Sequence, residues 1–136
     1  MKKITIYTIP MQDMRYASVG DWIIKDEELV IYVADTGNWK YNMAVAIHEQ
    51  VEALACHAQG ITTKQVDDFD LPWEEHDGLY EPGEDPHAPY HKQHMSAMDI
   101  EEILYEKHML DIDPNEFENA LDKIYSSYQG KDKENG

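Results

Sequence analysis

The residues best spaced for chemistry are His48, Glu49 and Glu52, inside the stretch MAVAIHEQVEALACHAQG that runs from Met43 to Gly60. His48, Glu52 and Cys56 recur every four residues, so in a helix their side chains stack along one face within reach of a single ion. The segment reads HExxE, a variant of HExxH, in which two helical ligands hold zinc and the adjacent glutamate takes a proton from bound water. Ionisable groups set in a run as apolar as VAIHEQVEALAC need partners if the helix is buried. That setting favours a metal site over a solvated helix face.

A third ligand must come from elsewhere, and the remaining histidines concentrate at His76, His87, His91 and His94. In a helix that begins near Tyr90, His91 and His94 lie one turn apart, and Glu101 follows His94 by seven residues on the same face. Crossing two such helices predicts a ligand set of His48, Glu52 and His94 with a position left for water. Zn²⁺ is the first expectation for this donor set, and the carboxylate leaves iron or manganese open. Glu49 is the predicted catalytic base. Asp67 and Asp70 share a helical face and are candidates to steady a histidine from outside the ligand set. Cys56 extends the stripe by a turn, but a lone cysteine in an apolar helix is expected to be simply buried.

The elements that must position these residues can be read in chain order. Lys2 to Ile9 is β-branched and stopped by Pro10, which predicts a strand. Trp22–Lys25 and Leu29–Ala34 flank the polar Asp26-Glu27-Glu28, a hairpin pattern. Asn38 or Asn42 can cap the motif helix, whose core face is expected from Met43, Ile47, Val51, Leu54 and Ala58. Thr62 or Thr63 can cap a short helix limited by Pro72. Residues 71–89 hold four of the six prolines, Pro72, Pro82, Pro86 and Pro89, and are expected as a loop, with Trp73, Tyr80 and Tyr90 as its anchors. A second long helix is expected from Tyr90 to Leu110, with Met95, Met98, Ile103, Leu104 and Met109 on or near its apolar side. Asp113-Pro114 opens a last one that continues to Tyr128.

The pattern predicts an α+β domain: a small N-terminal sheet of about three strands packed with three to four helices. It spans residues 1–128, with 129–136 as a disordered tail. The net charge of −17, from 28 acidic and 11 basic residues, argues against direct binding to nucleic acid. It leaves open a basic protein partner, including imitation of a polyanion to block a nucleic-acid enzyme. A single cysteine excludes an internal disulfide framework and fits the cytoplasm. No run of roughly 18 apolar residues suggests a membrane span.

The order of strand, hairpin, helix bearing His48-Glu49-x-x-Glu52, and downstream ligand resembles a pared-down zincin metallopeptidase over residues 29–60. There the active helix follows an edge strand. The resemblance implies zinc on His48, water polarised by Glu49 and hydrolysis of an amide-like bond, with Glu52 standing where the family has a second histidine. The chain also resembles small phage and prophage proteins, which would place it in a host cytoplasm.

Overall fold

The computed structural model describes residues 1–128; the expected tail at 129–136 lies outside them. Three strands, β1 (Lys3–Ile9), β2 (Gly20–Lys25) and β3 (Glu28–Ala34), form one mixed sheet in the order β1-β3-β2. β2 and β3 are the expected hairpin. Its turn residues Asp26 and Glu27 both take left-handed backbone, φ 53° and 63°, the twist that a two-residue connection between antiparallel strands demands. β1 lies parallel to β3, in a register that pairs Ile4 with Leu29 and Ile6 with Ile31. The strand before the motif helix is therefore the middle of the sheet, where the zincin resemblance implied an edge.

Four helices follow: α1 (Trp39–Ala58), α2 (Thr63–Asp70), α3 (His91–Leu104) and α4 (Pro114–Ser127). The sheet and helices are the α+β architecture expected from the sequence. Asn38 caps α1 by accepting from the Lys40 amide at 2.9 Å, so the helix begins one turn before Met43. Asn42 instead ties down the preceding turn through Thr36 and Asp35. Thr62 and Gln65 form a reciprocal capping box on α2, and Asp113 with Pro114 starts α4.

α1 lies across β2 and β3 on one side and against α3 on the other. The apolar core sits between sheet and helix, centred on Leu29, Ile31, Val33, Ala44, Ala53 and Cys56, all fully buried. Here the expected core face of α1 needs correction. Met43, Ile47, Val51 and Leu54 are only partly buried and Ala58 is exposed, while His48, Glu52 and Cys56 face inward with Ala44, Val45 and Ala53. Alanines at 44, 46 and 53 let the helix approach the sheet closely, and that approach draws in the stripe beside them. α3 behaves alike: Met95, Ile103 and Met109 are exposed, and the inward residues are Gln93, His94, Ala97, Glu101 and Leu104. α3 also ends at Leu104, six residues before the expected Leu110, in a turn closed by Leu110 N–H to Leu104 O.

α4 packs through Phe117, whose ring lies 5.1 Å from that of Tyr41. Residues 71–90 carry only a 3-10 turn at Pro82–Glu84 and a bridge between His76 and Leu79. Asp85 organises them, accepting from Trp73 Nε1 at 3.1 Å and meeting His76 and His87 at 3.2 and 3.0 Å. Tyr90, buried, donates to Asp70 at 2.7 Å and fixes the end of the loop to α2.

Burial pushes the Asp70 carboxyl up from 3.8 to about 7, with the Tyr90 hydrogen bond opposing and the Glu52 charge adding. The folded chain thus holds this proton more tightly than the unfolded chain. The contribution to stability is fullest below pH 4, declines as pH rises toward 7, and is lost above it. Allowing half of the full shift for relaxation, Asp70→Asn should stabilise the protein at pH 8 by about 2 kcal/mol. That is about 8 °C in Tm for a domain of this size. Asparagine still accepts from Tyr90, and the gain should vanish at pH 4. Thermal melts at the two pH values test this; an equal gain at both would place its origin elsewhere.

Candidate metal centre

α1 and α3 cross so that His48, Glu52 and His94 meet in the interior, with relative exposures of 9%, 5% and 4%. Three atoms converge. His48 Nε2 lies 3.3 Å from Glu52 Oε2 and 3.3 Å from His94 Nδ1, and His94 Nδ1 lies 2.9 Å from Glu52 Oε2. Ligands held 2.0–2.1 Å from a tetrahedral ion are separated by about 3.3 Å, so this triangle has the dimensions of one face of such a site. Among the described residues it is the group of histidine, cysteine and carboxylate side chains whose ligand atoms could hold a divalent metal.

The surroundings decide which ring nitrogens carry lone pairs. His48 Nδ1 is 3.2 Å from Glu101 Oε2, a contact that holds a proton on Nδ1 and leaves Nε2 bare. His94 Nε2 is fully enclosed without a hydrogen-bond partner, and the carboxylate nearest it is Glu81 Oε2 at 3.7 Å. His94 Nδ1, 2.9 Å from Glu52 Oε2, is the ring nitrogen within hydrogen-bond distance of a carboxylate, and it offers a lone pair to a metal only when the ring proton moves to Nε2. Glu52 is fixed through its other oxygen, Oε1, which accepts from Trp22 Nε1 at 3.0 Å. Both histidines in these tautomers, and Glu52 Oε2, turn lone pairs toward one point. Such an arrangement is repulsive unless a cation or protons occupy it.

Without an ion, protons serve. Burial alone would lower the His48 pKa, but Glu101 and Glu52 outweigh it and hold it well above the ordinary value. Burial would raise that of Glu52, but His48 and His94 outweigh it and bring it down to about 2. Metal binding requires these protons to leave. Glu49, one residue from His48, stays outside the triangle. Its carboxyl is raised well above the ordinary range by burial first and the Glu52 charge second, against an opposing pull from His48. Glu81 is also raised by burial, with His94 opposing.

Two glycines make room for these side chains. A Cβ on Gly20 would stand 2.5 Å from Glu49 Oε1, and one on Gly83 would stand 2.5 Å from both His94 Cγ and Nδ1. Gly83→Ala must displace the His94 ring, at a cost of about 1–3 kcal/mol for overpacking. Since Nδ1 is a candidate ligand atom, the affinity for a metal held there should fall by about 10- to 100-fold. A competition titration with a chromogenic chelator, beside a thermal melt, checks both; affinity unchanged with a lowered Tm would show that the loop does not position His94.

The triangle is the one expected from the sequence. His91 is not part of it; its Nδ1 meets Gly83 O at 2.9 Å and so pins the glycine against His94. Asp67 and Asp70 steady no histidine. Asp67 pairs with Arg15 at 2.8 Å, and Asp70 accepts from Tyr90 at the start of α3. Cys56 is buried and its thiol is pushed up to about 12 by burial, which makes it inert. His76 and His87 belong to the Asp85 network. Trp22, Glu81, Gly20 and Gly83 were not foreseen. Only the position of Glu101, two turns after His94, carried a signal.

No described helix is long and apolar enough to cross a membrane. Comparison of the chain with family models, curated proteins and solved structures returns no match.

Proposed function

We infer that the protein is a mononuclear metal protein that binds Zn²⁺ through His48 Nε2, Glu52 Oε2 and His94 Nδ1, and that it works as a metal-dependent hydrolase. The observation that carries the metal reading is the convergence of three potential ligand atoms, His48 Nε2, Glu52 Oε2 and His94 Nδ1, in the buried interior. Two imidazoles and one carboxylate suit zinc, and three protein ligands leave a coordination position for water. A divalent ion in such a site lowers the pKa of bound water and polarises a carbonyl oxygen.

The chain's own residues divide the remaining work. Glu101 orients the His48 imidazole, and Trp22 holds the free oxygen of Glu52 so that one oxygen points at the site. Glu49 is the base. It follows His48 directly on α1, stands outside the ligand set, and has a carboxyl whose proton affinity burial raises well above the ordinary range, which makes it a stronger proton acceptor when ionised. Amide-like bonds are the proposed target, in keeping with the zincin resemblance of residues 29–60. Asp21, Glu52, Asp70, Asp85 and Glu101 are buried, each against a named donor, so part of the chain's acidity builds the interior. The test is hydrolysis of a mixed peptide pool by zinc-loaded wild type and by Glu49→Gln. Loss of turnover with metal retained supports the catalytic reading, and no turnover by the wild type contradicts it.

A further inference from the structure

β1 is an edge strand whose two faces are both open. Its register with β3 sends Ile4, Ile6 and Thr8 to the same side as Leu29, Ile31 and Val33, the side covered by α1. Those three β3 residues are fully buried, yet Ile4 and Ile6 are 42% and 41% exposed, because α1 lies over β2 and β3 and stops short of β1. On the opposite face Tyr7, 49% exposed, stacks on Tyr32 at 5.6 Å. Among the described residues no strand pairs with the outer edge of β1. A seven-residue strand with apolar residues, no bulge and no inward charge lacks the usual protections against pairing with another chain.

The charge around this edge selects the occupant. Residues 1–12 contain no Asp or Glu in a chain of net charge −17. Glu27 and Glu28, at the end of the neighbouring strand, are matched within the chain by Lys2 at 3.1 Å and Lys3 at 3.9 Å, and Asp35, whose amide bonds to Ile9 O at the other end of β1, has its carboxylate engaged by Gly37 N and Asn42 Nδ2. A basic peptide finds no free carboxylate here, and an acidic one finds lysines already engaged. A second copy meets a locally neutral strand that matches its own.

We propose that two copies of this chain associate through β1, antiparallel across a two-fold axis at Ile6, to make one continuous six-stranded sheet. Centring on Ile6, the middle residue of Lys3–Ile9, sets Ile6 opposite its own copy, Ile4 opposite Thr8 and Thr5 opposite Tyr7. The four isoleucines then form one continuous apolar stripe between the α1 helices of the two copies, and no carboxylate lies in the strands of the seam. This inference does not rest on the metal reading.

Sedimentation velocity on the full chain in chelator, across the micromolar range, tests it. The expected species is a dimer of 15.8 kDa chains. Ile6→Lys places two cations opposite each other at an exposed position, and should weaken association by at least about 100-fold while leaving the circular dichroism unchanged. Ile6→Cys should cross-link to its own copy under a mild added oxidant, and Thr8→Cys, which faces Ile4, should not. Monomeric wild type, a dimer that survives Ile6→Lys, or equal cross-linking of the two cysteine variants would each overturn the proposal. The native Cys56 is buried and does not compete.

Discussion

His94→Ala should lower zinc affinity by two to three orders of magnitude. Complete zinc sites bind with roughly 10–16 kcal/mol, so one ligand of a small set carries about 3–4 kcal/mol. The geometry explains why no neighbour can substitute. His91, one turn earlier, is turned away onto Gly83 O, and Glu81 reaches His94 from its far side at 3.7 Å. The variant also separates Glu52 from its shorter imidazole contact. If the proposed site binds zinc, zinc at 100 times its Kd should stabilise the wild type by about 2.7 kcal/mol, or about 10 °C at this chain length. His94→Ala should lose that zinc-dependent rise. His87→Ala, at an exposed position in the loop before α3, should keep it. Melting curves with and without zinc read both, and a zinc-dependent rise that persists in His94→Ala would remove the residue from the ligand set.

Glu49→Gln should reduce hydrolysis by about 10²–10⁴, the range for loss of a positioned base, with zinc affinity changed only a few-fold. The side chains match in shape and Gly20 accommodates either. The wild-type carboxyl is already biased toward its neutral form by burial, so folding should be unaffected. The effect should lie in kcat rather than KM, because Glu49 acts on a proton in flight and holds no ligand atom of the triangle. A variant with unchanged kcat would assign the proton to another group, with Glu81, the other partly exposed carboxyl near the site, as the next to replace.

The triangle was legible in the sequence because its signal is local. His48 and Glu52 are one turn apart on one helix, and His94 opens the next long one. The hairpin and helix starts were legible for the same reason, through turn and capping residues. The inward faces of α1 and α3 were misassigned because hydrophobicity was read as burial. In both helices alanines set the close approach, so that Ile47 packs only at the margin of the core and Ile103 is left toward solvent. Contacts made across long separations carried no pattern: Trp22 with Glu52 is 30 residues apart, and Glu81 reaches His94 from an irregular loop. The place of β3 in the middle of the sheet also depends on β1 returning in parallel, which no short-range signal encodes.

The most direct test is the zinc content of wild type at equilibrium. The chain should be purified without chelator, stripped, titrated with zinc, dialysed and measured by elemental analysis beside His48→Ala and Glu52→Ala. The proposed zinc site predicts one zinc ion per chain, retained through dialysis by the wild type and lost by both variants. Wild type that retains no zinc in stoichiometric amount, or variants that retain as much, would contradict a metal centre at His48, Glu52 and His94.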